Sequence, residues 1–267
     1  MPSQSFVDAQ VLVVEFPAAG VMHVAPSKVG STSIMQAYGQ MAGLDIRDGS
    51  VRNDLRRDAR SGRSAAAGLS MRYVAADELP DLVAARPGWR VLANVRCPYD
   101  RAVSNWHSKL NRYARRYDPW VYYRGKLGQL FEGPKAWPHI ERANAHMQRH
   151  IPFRSMVAGL AQNGVSFDRH FEQQALLLAL DRVRYDHVFR LERFGTDFPA
   201  VLAGLGIGAE FTGRLSIVPH SNRTAASRPG AGLLDAGTIA LIDRAYPQDK
   251  ALLGYSDPIS GRVARWG

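Results

Sequence analysis

Val21-Met22-His23-Val24-Ala25-Pro26-Ser27-Lys28-Val29-Gly30-Ser31-Thr32-Ser33-Ile34 is the stretch from which the fold is read. Val21–Ala25 is rich in β-branched residues and predicts a strand. After a small polar loop, Ile34, Ala37, Tyr38 and Met41 recur at i, i+3, i+4 and i+7, one face of a helix. The order is therefore strand, loop, helix. The first amides of a helix lack internal partners and, with the helix dipole, attract an anion. Lys28 adds a mobile positive charge, Gly30 permits close approach of the backbone, and Ser31, Thr32 and Ser33 add hydroxyl donors. The ordinary alternative is a helix start capped by Ser31 or Thr32.

Working outward, Val11–Phe16 is a similar run, separated from Val21 by Pro17-Ala18-Ala19-Gly20, so a hairpin or two neighbouring strands is expected. Asp77–Ala85 reads as a short helix and Trp89–Val95 as a buried strand. A helix follows, with Val103, Trp106, Leu110 and Tyr113 on one stripe. Residues 172–182 read as helix, Tyr185–Leu191 as strand, and 194–205 as an amphipathic helix. Ile239, Ile242 and Tyr246 mark a last helix stopped by Pro247. Strands alternating with helices predict a single α/β domain over 1–267 with a mainly parallel central sheet flanked by helices. Residues 47–64, with six arginines, read as a mobile surface segment; 117–140, rich in Tyr, Trp, Gly and Pro, reads as an irregular insertion.

The 267 residues carry 34 Lys and Arg against 24 Asp and Glu, a net charge of +10, which favours anionic partners. Apolar residues at 46% and charged residues at 22% exclude a disordered chain. One cysteine, Cys97, excludes an internal disulfide. No stretch approaches the ~18 apolar residues of a spanning helix. Met1 to Gln10 lacks a signal-peptide pattern, so a soluble, cytoplasmic protein is expected.

A second anion site is expected where Trp89–Val95 ends. Arg96 would stand at the carboxyl edge of the sheet, where open α/β sheets bind ligands, with Ser104 further along the next helix. The first loop is not a Walker A sequence, because its Lys precedes the Gly. His146 and His150 are spaced i, i+4 but lack the Glu of a zinc protease helix, and a solvated face is expected. His23, on the strand before the loop, is expected in the core.

Together the two segments resemble the PAPS-dependent sulfotransferases, whose donor is 3′-phosphoadenosine 5′-phosphosulfate. Pro26 to Ser33 is similar to the family's 5′-phosphosulfate loop P-K-x-G-[ST]-[ST]-[ST], with Ser27 standing between Pro and Lys. Val95-Arg96-Cys97-Pro98-Tyr99-Asp100-Arg101-Ala102-Val103-Ser104 matches the 3′-phosphate segment V-R-x-P-x-x-R-x-x-S. The carbohydrate branch of the family is resembled by His170-Phe171-Glu172-Gln173-Gln174 (H-[WF]-x-x-Q) and by Tyr185 to Glu192 (Y-D-x-[IV]-x-[KR]-x-E). Pro219 to Arg223 and Tyr246 to Tyr255 resemble its C-terminal pieces.

The resemblance implies a P-loop-like fold and sulfuryl transfer from PAPS to a hydroxyl or amine of a carbohydrate or glycoconjugate, with no metal. Lys28 would touch the bridging oxygen, and Val29, Gly30, Ser31, Thr32 and Ser33 would hold the 5′-phosphate. Arg96 and Ser104 would hold the 3′-phosphate, with Arg223, in a loop that also carries Arg228, closing over the nucleotide. His170 is the first choice of general base; His107, then Asp77 and Glu78 after the second strand, are the others. Trp120, Tyr122, Tyr123 and Trp137 offer rings for stacking on sugars or for packing. No nucleic-acid partner and no membrane span is expected, peripheral membrane contact being left open. Two other readings fit parts of the sequence. One is a nucleotide-binding phosphotransferase, against which the Walker A order counts. The other is a non-catalytic basic module that binds polyanions.

Overall fold

Only four residues, Pro17 to Gly20, join strand β1 (Gln10–Phe16) to strand β2 (Val21–Ala25). A parallel crossover needs a dozen residues or more, so this link forces an antiparallel hairpin, with Leu12 opposite Ala25 and Phe16 opposite Val21. The sheet is therefore mixed, and the expectation of a mainly parallel sheet is corrected on this ground. The computed structural model describes residues 9–46, 53–57, 64–65, 68–117, 152–166, 168–215 and 232–255.

After β2 come helix α1 (Ser31–Met41), strands β3 (Ser64–Ala65) and β4 (Leu69–Ala75), and helix α2 (Leu79–Ala84). Strand β5 (Arg90–Val95), helices α3 (Pro98–Tyr117), α4 (Phe153–Asn163) and α5 (Gln174–Leu177), and strand β6 (His187–Arg190) follow. Helices α6 (Phe194–Gly204), α7 (Ala209–Thr212), α8 (Ala236–Ala245) and α9 (Pro247–Leu253) complete the order. The sheet runs β3-β4-β1-β2-β5-β6. β1 is antiparallel to both β2 and β4, whereas β2, β5 and β6 are parallel. One edge thus collects the carboxyl ends of β2, β4, β5 and β6 and the amino end of β1. β5, the parallel neighbour of β2, leaves the sheet beside the loop after β2.

The chain divides into two compact units. The first, Met1–Pro98 with Val165–Ser227 and Tyr246–Gly267, contains the sheet. Its core packs α1 and α6 on one sheet face, with Leu12, Val14, Ile34, Tyr38, Phe189 and Phe198 all buried. The second, Tyr99–Gly164 with Arg228–Ala245, is helical among the described residues. There Tyr99 donates to Asp243 at 2.5 Å, Trp106 meets Phe153 edge-on at 5.9 Å, and Asp235 caps α8 by accepting the Thr238 N–H at 2.7 Å.

Several local expectations change. The helix expected over 172–182 shortens to Gln174–Leu177. Ala179 turns left-handed (φ 46°) while the Leu180 and Ala179 amides bond back to Ala175 and Leu176, a Schellman-type stop. Pro247 does not merely end α8; it opens α9 at a position where its missing N–H costs nothing. Within the segment read as a surface loop, residues 53–57 form a helical turn that buries Leu55. Residues 118–140 of the expected insertion, with Trp120, Tyr122, Tyr123 and Trp137, lie outside the described residues, as do His146, His150, Arg223 and Arg228. No helix among the described residues is long and apolar enough to cross a membrane.

His23 occupies the middle of β2 with no exposure, stacked on Phe189 at 5.7 Å. Burial, more than any neighbour, pushes its imidazole down from 6.5 to about 3. The folded state therefore refuses a proton that the unfolded chain accepts below pH 6.5. This contribution to stability is complete above that pH and is lost on acidification from 6.5 towards 3. Lowering the pH from 7 to 5 should reduce the denaturation free energy of the wild type by up to about 2 kcal/mol more than that of His23→Gln. Equal losses in the two proteins would contradict a neutral, buried His23.

Candidate functional site

The loop between β2 and α1 holds two departures from ordinary backbone geometry in close succession. Lys28 is left-handed (φ 73°), rare for a residue with a side chain, and Gly30, the N-cap of α1, lies at φ 89°. Left-handed lysine costs about 1–2 kcal/mol, a strain typical of ligand-gripping turns. No side chain caps α1, so the alternative of an ordinary helix start capped by Ser31 or Thr32 is not what forms; Ser31 Oγ turns back to the Pro26 carbonyl at 3.4 Å. The first-turn amides of α1 keep their anion-binding character.

A buried relay fixes the loop from below. Tyr38 Oη lies 3.0 Å from His23 Nδ1, and His23 Nε2 lies 2.8 Å from Asn94 Oδ1. Asn94, fully buried on β5, donates through Nδ2 to the Val29 carbonyl at 3.3 Å. An amide oxygen only accepts, so the His23 proton sits on Nε2, and Nδ1 accepts a hydrogen bond from the Tyr38 hydroxyl. A residue expected simply in the core is thus also the middle of a chain of bonds ending on the loop after β2.

β2 and β5 are parallel neighbours, so their exits are adjacent. Arg96 leaves β5 and donates from Nη1 to the Lys28 carbonyl at 3.4 Å. The two expected anion sites, 68 residues apart in sequence, are in contact. The exit of β5 is itself held by side chains. The Arg96 N–H is accepted by Gln174 and the Cys97 N–H by Glu192, at 2.8 and 2.9 Å. Glu192 also accepts from Tyr255 at 3.2 Å, and burial raises the Tyr255 phenol far above its usual range. Cys97 is buried.

The segment 168–174 lies along the same edge. Arg169 donates to Gln10, at the start of β1, at 2.7 Å and stacks on Tyr73 of β4, while Gln174 reaches Arg96. His170 stands between these anchors, about 9% exposed. Its Nδ1 is 2.5 Å from Asp168 Oδ1, which also accepts the His170 N–H at 2.8 Å. A carboxylate on Nδ1 puts the ring proton there and the basic lone pair on Nε2, the orientation a general base needs. Sequence reasoning misses Asp168; an acid two residues before a candidate base is the signal that points to it.

The other candidates fall as follows. Asp77 and Glu78 are exposed just past β4, at the same sheet edge. Ser104 and His107 belong to α3 in the second unit, so the first unit's own grouping does not include them. His107 is exposed, and what burial it has lowers its pKa. Among the described residues, no group of three or more His, Cys, Asp and Glu is arranged to hold a metal ion.

Residues 69–256 match the model of a family described as "Sulfotransferase family". No curated protein and no solved structure gives a match. The matched span includes Arg96 and His170 but begins after Lys28. The loop is tied to it by the Arg96–Lys28 bond and the β2–β5 pairing.

Gly30 can be tested apart from any ligand. A Cβ there would collide with Leu191 Cδ1 and would force a side chain to φ 89°. Gly30→Ala should destabilise by about 1–2 kcal/mol. In a denaturation cycle, Leu191→Ala should relieve only part of that, because the dihedral strain stays. Full relief would show that the side-chain clash alone demands glycine.

Proposed function

The chain belongs to the sulfotransferase family, and from that premise we propose that it transfers a sulfuryl group from PAPS to a carbohydrate or glycoconjugate hydroxyl or amine. The observation that supports this reading is the 3.4 Å bond between Arg96 and the Lys28 carbonyl, which joins at one sheet edge the two turns whose sequences resemble the 5′-phosphosulfate and 3′-phosphate segments. A nucleotide with phosphate groups at both its 3′ and 5′ positions needs two such turns; a single helix start serves one anion. The family match leaves the phosphotransferase and non-catalytic readings without support.

In this reading the uncapped amides of α1 and the hydroxyls of Ser31, Thr32 and Ser33 hold the 5′-phosphate. The Lys28 ammonium stabilises charge on the oxygen that leaves sulfur, and Arg96 holds the 3′-phosphate. His170 Nε2, its ring fixed by Asp168, takes the proton of the acceptor hydroxyl as the new sulfur–oxygen bond forms and the old one breaks. The products are the sulfated acceptor, adenosine 3′,5′-bisphosphate and the proton on His170. The carbohydrate acceptor is supported by the branch-like segments at 170–174 and 185–192, both built into the exit of β5.

Steady-state kinetics with PAPS should separate the roles. Lys28→Ala should lower kcat about 10²–10³-fold. Arg96→Ala should chiefly raise KM for PAPS, by about 10–100-fold, as expected for a lost charge-assisted contact. An Arg96→Ala enzyme with wild-type KM would remove Arg96 from the donor site.

A further inference from the structure

The Arg96 backbone is held in an unusual way. The ladder between β5 and β6 ends with Val95 opposite Arg190. At Arg96 the side chain of Gln174 takes the place of a strand. Its Oε1 accepts the Arg96 N–H at 2.8 Å and its Nε2 donates to the Arg96 carbonyl at 2.9 Å. The same Nε2 donates to Asp249 Oδ2 at 3.1 Å, and Asp249 Oδ1 accepts the Ala175 N–H at 2.8 Å. Gln174 and Asp249 are both fully buried. The carboxylate can only accept, so it dictates which end of the Gln174 amide is NH₂ and therefore which end meets the Arg96 N–H. Both bonds from Gln174 to Arg96 end on its backbone.

We infer that Gln174 and Asp249 are positioning residues for the 3′-phosphate arm of the donor site, setting the direction in which Arg96 leaves the sheet. The inference rests on the assignment of Arg96 to the 3′-phosphate. A side chain that substitutes for a strand fixes the two backbone groups of one residue, and a guanidinium at the end of a long side chain amplifies any error in that backbone. The loop after β2 has its own support, from Asn94 on the Val29 carbonyl. Although the Lys28 carbonyl also accepts from Arg96 at 3.4 Å, loss of the Gln174 clamp should therefore act chiefly on the 3′-phosphate.

The test compares adenosine 3′,5′-bisphosphate with adenosine 5′-monophosphate, which lacks the 3′-phosphate. Both are titrated calorimetrically into the wild type, Gln174→Leu, Asp249→Asn and Arg96→Ala. Gln174→Leu and Asp249→Asn should each weaken the bisphosphate about tenfold and leave the monophosphate essentially unchanged. KM for PAPS should rise with them while kcat holds. Monophosphate affinity reports an intact loop, and Asp249→Asn, nearly isosteric, keeps the test open should Gln174→Leu not fold. Equal weakening of both nucleotides, or no weakening, would overturn the inference. If Arg96→Ala abolishes the preference for the bisphosphate while the other two retain it, the positioning role fails alone. If Arg96→Ala itself keeps the preference, the assignment of Arg96 fails and takes the positioning role with it.

Discussion

The parallel pairing of β2 with β5 is the constraint on which the site depends. Two strands that run side by side in the same direction release their chains at neighbouring points, and here both chains carry cationic residues as they leave. The Arg96 guanidinium crosses the gap to the Lys28 carbonyl. That bond ends on a neutral carbonyl, and it sets two basic residues, Lys28 and Arg96, side by side at one edge. A pair of basic residues so placed suits the proposed donor, whose phosphate groups carry several negative charges.

Support for this pair comes from well-separated parts of the chain. Asn94 fixes the loop, Gln174 and Glu192 fix the exit of β5, and Asp249 fixes Gln174. Asn94, Gln174 and Glu192 bond to backbone groups outside the strand ladders, which answers the cost of burying unsatisfied amides. The segments quoted separately from the sequence as 95–104, 170–174, 185–192 and 246–255 meet here through particular bonds. Their spacing in the chain reflects one knot of hydrogen bonds as much as chemistry.

Much of the fold is legible in the chain. Val21–Ala25 and Ser31–Met41 announce themselves by β-branched content and by helical period. The stop of α5 is illegible because a left-handed alanine, Ala179, does the work that glycine usually does. Strand direction turns on the short Pro17–Gly20 link, which outweighs the general α/β pattern. Strand Leu69–Ala75 and helix Phe153–Asn163 escape the sequence reading; the strand alternates only in part, with the Arg72 side chain on Glu15. In the proposed site, cationic and small residues can be read from the chain, because an anion-binding turn calls for those types. Supporting partners such as Asn94 and Asp249 cannot, because a hydrogen bond across 65 to 78 residues leaves no local pattern.

The central claim is that one adenine nucleotide spans the exits of β2 and β5. A crystal structure of the protein with adenosine 3′,5′-bisphosphate tests it most directly. The account predicts the 5′-phosphate on the amides of Gly30 to Ser33 and the 3′-phosphate against the Arg96 guanidinium. A nucleotide bound in the opposite sense, or away from this edge of the sheet, would contradict it.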